Sequence, residues 1–155
     1  MRKICFYFCF LFVAISVFGN DTVRIRETQI PILIDRKDNV LFNLRVDSKQ
    51  SKVLNHVTLR FGNDVKLSEI QSVKLYYSGT EAVQREVGKT REANRSYSVL
   101  KSEKKAPAQT VTLTCDQVLF PGINYFWVSL EMKPTASMVS KITAEVTDVH
   151  MDGKS

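Results

Sequence analysis

The sequence predicts an all-β fold, an antiparallel two-sheet β-sandwich of jelly-roll type, and three observations lead there. Roughly seven or eight segments alternate apolar and polar residues at period 2, at intervals of about 12 to 15 residues. No segment of any length carries apolar residues at the helical period, and the chain holds no internal repeat, low-complexity tract or linker. One run, Phe120 to Pro134, has apolar or aromatic weight on both of its faces, as a strand covered on both sides must.

In chain order, Arg2 and Lys3 precede an apolar run from Ile4 to Phe18, and Gly19 closes it. A basic start, a short apolar run and a small residue at its end describe a signal peptide, residues 1–19, cleaved after Gly19. The run is shorter than the ~20 apolar residues of a comfortable membrane span, so no span is expected in the mature chain, residues 20–155. The protein is therefore expected to be exported, to the periplasm or the extracellular space. Cys5 and Cys9 lie in the signal, which leaves Cys115 alone in the mature chain and rules out an internal disulfide. In the alternating run Val111, Leu113, Cys115, this thiol reads as a small buried side chain and not as a reactive one.

Val23 and Ile25 alternate with Arg24 and Arg26, and Ile30, Ile32 and Ile34 follow in a shifted phase, so one long strand with a bulge near 27–29 is expected from Thr22 to Ile34. Pro31 places it at a sheet edge. Val40, Phe42, Leu44 and Val46 form an apolar face opposed by Asn43 and Arg45; Val57, Leu59 and Phe61 form the next, after a loop over 47–52. A helical turn at Leu67–Ile70 leads to Val73, Leu75 and Tyr77, with Lys74 and Tyr76 on the opposite face. Gly79 to Arg95 has no alternating pattern and reads as a long exposed loop. Short strands are expected around Val99 and from Thr110 to Val118, separated by a turn at 104–109.

In the central run, Phe126, Val128, Leu130 and Met132 share one face, while Tyr125, Trp127, Ser129 and Glu131 share the other. The last strand, Val139 to Met151, changes phase near Asp148. Asp152-Gly153 then reads as a hairpin turn leading to a strand beyond residue 155, so the sequence is expected to be the front of a longer protein, lacking its C-terminal strand.

Lys and Arg total 22 against 16 Asp and Glu, and the basic residues are interleaved with acidic ones along the chain. That distribution matches neither a nucleic-acid stripe nor a polybasic membrane anchor. His56 and His150 lie far apart in sequence, each without a neighbouring ligand at metal spacing, so no metal is expected. There is no nucleophile elbow, phosphate-binding loop or dinucleotide fingerprint, and nothing brings two carboxylates into one cleft; no catalytic residue and no cofactor are assigned.

The non-core face is more suggestive. Arg60, Lys74, Tyr76, Tyr125, Trp127 and Glu131, with Ser129, combine aromatic rings with charged hydrogen-bonding groups, the mixture with which sugar-binding sandwiches stack and hydrogen-bond a pyranose. These six are the candidate carbohydrate-binding residues, if their three strands are neighbours and the rings are exposed. The alternative is a face covered by a loop or a neighbouring domain. On the exposed reading, truncating Trp127 costs less stability than truncating Phe126.

Read as a block, Leu59 to Ala82, including Phe61-Gly62-Asn63-Asp64 and Val73-Lys74-Leu75-Tyr76-Tyr77-Ser78-Gly79, resembles the N-terminal domain of secreted bacterial BNR-repeat sialidases. Arg26 to Ile34 and Leu119 to Trp127 agree with it, so the resemblance spans essentially the whole mature chain. It implies a carbohydrate-binding β-sandwich placed ahead of a six-bladed catalytic propeller that removes terminal sialic acid. The propeller's Arg-Ile-Pro motif, Asp boxes, arginine triad and tyrosine nucleophile are not found here. The resemblance thus implies a non-catalytic accessory domain of an exported sialidase, with sialylated or galactose-terminated glycans and the propeller as partners; a domain that only packs against the propeller is the alternative.

Overall fold

Alternating apolar faces require facing partners, and a computed structural model of the chain, describing residues 21–28, 31–34, 36–80, 98–137 and 142–153, supplies them as two antiparallel sheets. The strands are β1 (Thr22–Glu27), β2 (Asn39–Ser48), β3 (Lys52–Phe61), β4 (Ile70–Gly79), β5 (Val99–Lys105), β6 (Thr110–Leu119), β7 (Gly122–Met132) and β8 (Ala144–Gly153). A single 3₁₀ turn, Leu67–Glu69, precedes β4. The larger sheet runs β1-β2-β7-β4-β5 and the smaller β6-β3-β8. From β2 onward the chain passes back and forth between the sheets, apart from the β4–β5 neighbours, giving the jelly-roll pattern expected of a closed two-layer sandwich.

The core lies between the sheets. Leu44, Val46, Leu75, Phe126, Val128 and Leu130 face inward from the large sheet, and Leu54, Val57, Leu59, Phe61 and Leu113 answer from the small one, all of them buried. Strand β7 sits in the middle of the large sheet, as its doubly loaded faces require. Its start is fixed by Pro121-Gly122, where Gly122 takes a φ of 102° that a side chain would strain. The buried Asn124 closes this turn, donating to the Phe120 and Gly122 carbonyls and accepting from Phe120 N–H and Tyr77 O–H. Cys115, half-buried, donates its thiol to the Leu54 carbonyl, and burial pushes its pKa up, so it packs as a structural side chain.

Several expectations are corrected. The first strand ends at Glu27; Pro31 to Ile34 are not strand, because Leu33 N–H bonds to the Asn39 side chain at 2.7 Å and not to a ladder. Its edge position is as expected. Lys52 belongs to β3 and Lys104 to β5. Asp152-Gly153 is not a turn, since both residues stay in the ladder with β3, opposite Val53 and Lys52. The bulge in the last strand is close to where it was expected, at Thr147 between the Val146 and Asp148 pairings. Further register shifts, at Leu41, Asn55, Gln71, Ser78 and Lys101, have no local signature. The signal peptide, Gln29 of the expected 27–29 bulge, and most of the 79–95 loop lie outside the described residues. Among the described residues, no helix is long and apolar enough to cross a membrane.

Candidate functional site

Register places the candidate residues row by row across the outer face of the large sheet. On β7, Tyr125, Trp127, Ser129 and Glu131 turn outward as their phase predicts; on β4, Tyr76 lies opposite Trp127, Lys74 opposite Ser129 and Ser72 opposite Glu131. Arg60 is not among them. It stands on β3 in the other sheet, exposed, with its Nε donating to Glu145 Oε1 at 2.8 Å. The expected adjacency fails because β3 pairs with β6 and β8 and never with β4 or β7.

Of the remaining five, four are engaged with one another or with the chain. The Tyr76 and Trp127 rings stack at 4.0 Å with planes 11° apart, and both residues are buried, at 3% and 4% relative exposure. Trp127 Nε1 donates to Ser98 Oγ at 3.0 Å, and Ser98 in turn bonds to Ser78. Asp38 closes over the same face, accepting from Tyr76 O–H at 2.8 Å and Ser129 O–H at 2.9 Å. Lys74 is buried beneath it, donating to Glu131 Oε2 at 2.8 Å and to the Lys37 carbonyl at 3.0 Å. The segment that carries Lys37 and Asp38 is held by Asn39, whose Nδ2 reaches the carbonyls of Leu33, Arg36 and Leu130. Burial, and then the Asp38 carboxylate, raise the Tyr76 pKa far above its ordinary value; burial raises that of Tyr77.

The fifth, Tyr125, remains half-exposed and opens onto a cleft of about 800 Å³. Two cross-strand rows build it: Arg24–Arg45–Tyr125 and Arg26–Asn43–Trp127. The three arginines have no carboxylate partner among the described residues, and Arg24 directly faces Arg45, a like-charge pairing that costs stability in an empty cleft. An anionic or hydroxyl-rich ligand relieves it, since guanidinium groups bind such oxygens in forked pairs. The sequence did carry this signal. Arg24 and Arg26 alternate with Val23 and Ile25, and Asn43 and Arg45 with Phe42 and Leu44, but only the β1–β2–β7 order brings these rows under Tyr125.

The comparisons with known proteins agree with one another. The family described as the N-terminal domain of BNR-repeat neuraminidase matches residues 20–155. A "Sialidase" of Bacteroides fragilis (strain YCH46) is 52% identical over 162 residues, covering 95% of this chain and 30% of its own length. The solved structure of "Hadza microbial sialidase Hz136" superposes with a TM-score of 0.72 at 42% identity, covering 84% of this chain and 28% of that one. The chain thus spans less than a third of the relatives it matches.

Two outcomes are expected from this geometry. Because Trp127 is stacked, hydrogen-bonded and buried, its truncation is not the mild change an exposed ring would allow: Trp127→Ala should cost about 3–5 kcal/mol, as much as Phe126→Ala, in urea unfolding. A cost below that of an ordinary surface substitution would mean the ring is not held as described. An unfolded tyrosine ionises near its ordinary value of 10.0 and buried Tyr76 only well above it. The folded state therefore retains the proton longer, so the stabilisation is complete below about pH 10 and declines as pH rises beyond it. Tyr76→Phe should flatten this alkaline decline, read from melting temperatures between neutral pH and pH 11; an unchanged slope would show that Tyr76 does not contribute to it.

Proposed function

Because the chain belongs to the family of N-terminal domains of BNR-repeat neuraminidases, we propose that it is a non-catalytic glycan-binding accessory domain of an exported sialidase acting on sialylated glycoconjugates. Its sugar site is the cleft beneath Tyr125, and that cleft is the observation on which this reading rests. A half-exposed tyrosine ring offers a stacking platform, and Arg24, Arg26 and Arg45 a positive field suited to a carboxylate. That field favours the acidic sugar over the neutral galactose beneath it. Trp127 serves as the floor and Tyr76 as its support, while Lys74 and Glu131 hold the face together. Hydrolysis belongs to the propeller of the full-length parent, and this domain would hold that propeller near its substrate.

Tyr76 and Trp127 are covered within the chain, so neither ring is the exposed sugar platform expected from the sequence, and this coverage favours the alternative, a domain that packs on the propeller without binding sugar. That alternative has a further surface. Phe120 is 60% exposed and Val118 37%, side chains that a neighbouring domain would bury.

The test is retention on immobilised sialylated mucin beside the same mucin after desialylation. Retention by the sialylated form is expected, weakening with salt and lost in Arg45→Gln and Tyr125→Ala without a fall in melting temperature for Arg45→Gln. No retention on either mucin would leave the packing reading in place. The same protein should release no product from a chromogenic sialoside, and turnover that survives removal of host sialidase would overturn its non-catalytic role.

A further inference from the structure

The outer face of the small sheet carries a cluster that sequence spacing conceals. Strands β3 and β8 pair with His56 directly opposite His150, and Asp148 and Asp152 flank His150 on the same face of β8. The expectation that each histidine lacks a second ligand is corrected here by strand pairing, which joins residues 94 positions apart in the chain. The two imidazoles stack with centroids 4.9 Å apart and planes 12° apart. His56 Nε2 lies 3.1 Å from Asp148 Oδ2, and His150 Nε2 lies 3.1 Å from Asp152 Oδ1. His56, Asp148 and His150 each offer a donor atom within 4.8 Å of the others.

We propose that His56, Asp148 and His150 form a surface site for a divalent transition metal of the zinc type, with Asp152 as an outer carboxylate that orients His150. Two imidazoles and one carboxylate are a donor set for zinc, nickel or cupric copper, and not for calcium, which takes oxygen ligands. Three protein ligands leave a fourth, open position for water or another ligand, as the exposed face permits. His150 Nε2 lies close enough to Asp152 Oδ1 for this carboxylate to take up the Nε2–H once Nδ1 binds the metal, the arrangement in which an outer carboxylate fixes the ring's tautomer. Bonds of about 2.0–2.2 Å require the donors to close by on the order of 1 Å. His150 and Asp148 are exposed and His56 only half-buried, so rotation of their side chains can supply that movement without disturbing the core. This face is the opposite layer from the sugar cleft, and the proposal does not depend on the cleft's role.

The experiment uses the purified chain without an affinity tag, freed of metal by chelation and then titrated with zinc chloride in a calorimeter. One saturable equivalent is expected. In parallel, the imidazole resonances of His56 and His150 should shift together in proton–nitrogen spectra, and that measurement needs no variant. His56→Gln and His150→Gln should each weaken binding by more than about tenfold, and Asp152→Asn by about tenfold, with β-sheet circular dichroism unchanged. Absence of saturable binding, independent movement of the two rings, or undiminished binding in both histidine variants would overturn the site.

Discussion

The structure depends on β7 being covered on both faces. Inward, Phe126, Val128 and Leu130 meet the small sheet across the core; outward, Trp127 stacks against Tyr76 of the neighbouring strand and Ser129 donates to Asp38. The inner face needs only apolar partners. The outer face carries polar atoms, and each buried one requires a hydrogen bond or the gain from burial is offset. Asn39 meets that requirement for part of the face by tying Leu33 and Arg36 to the β7 backbone, which delivers Asp38 to Tyr76, Ser129 and Lys74 together, while Ser72 Oγ is left buried without a partner among the described residues. One amide at the start of β2 therefore decides which part of the large sheet is closed.

What stays open follows from the same arrangement. Asp38 and Lys37 cover the part of the face over β4 and the end of β7, while the part over β1, β2 and the start of β7 keeps its cleft. The covered half is neutralised internally, with Lys74 placed between Glu131 and Asp38. Buried ion pairs of this kind hold geometry more than they add stability. The open half is unneutralised, with three arginines and an aromatic ring. Aromatic floor and cationic wall thus belong to different strands but to one continuous surface.

Strand positions and phases were legible because period-2 alternation is local: Phe126 and Trp127, or Tyr76 and Tyr77, are assigned to opposite faces by sequence alone. Strand partners were not. Arg60 has the same local pattern as an outward residue of either sheet, and only the long-range choice of β6 and β8 as neighbours removes it from the aromatic face. His56 and His150 were hidden for the same reason. The burial of Trp127 is likewise nonlocal, since it depends on Ser98 and on a ring from β4. Asp152-Gly153 shows local preference losing outright: a strong turn signal is held straight because β3 offers ladder partners as far as Lys52. Family resemblance reached what residue patterns could not, since matched blocks report on the whole fold at once.

Strand β1 closes one margin of the large sheet, and β5, with Lys101, Glu103, Lys104 and Lys105, closes the other. Unpaired ladder groups at such margins are templates for another chain's strand, and charge is the common protection against it. Arg24 and Arg26 therefore guard the β1 margin against edge-to-edge polymerisation. Any substitution that removes these charges from the cleft also strips the guard from Val23 and Ile25, so the charge of the cleft is coupled to colloidal stability at the same two positions.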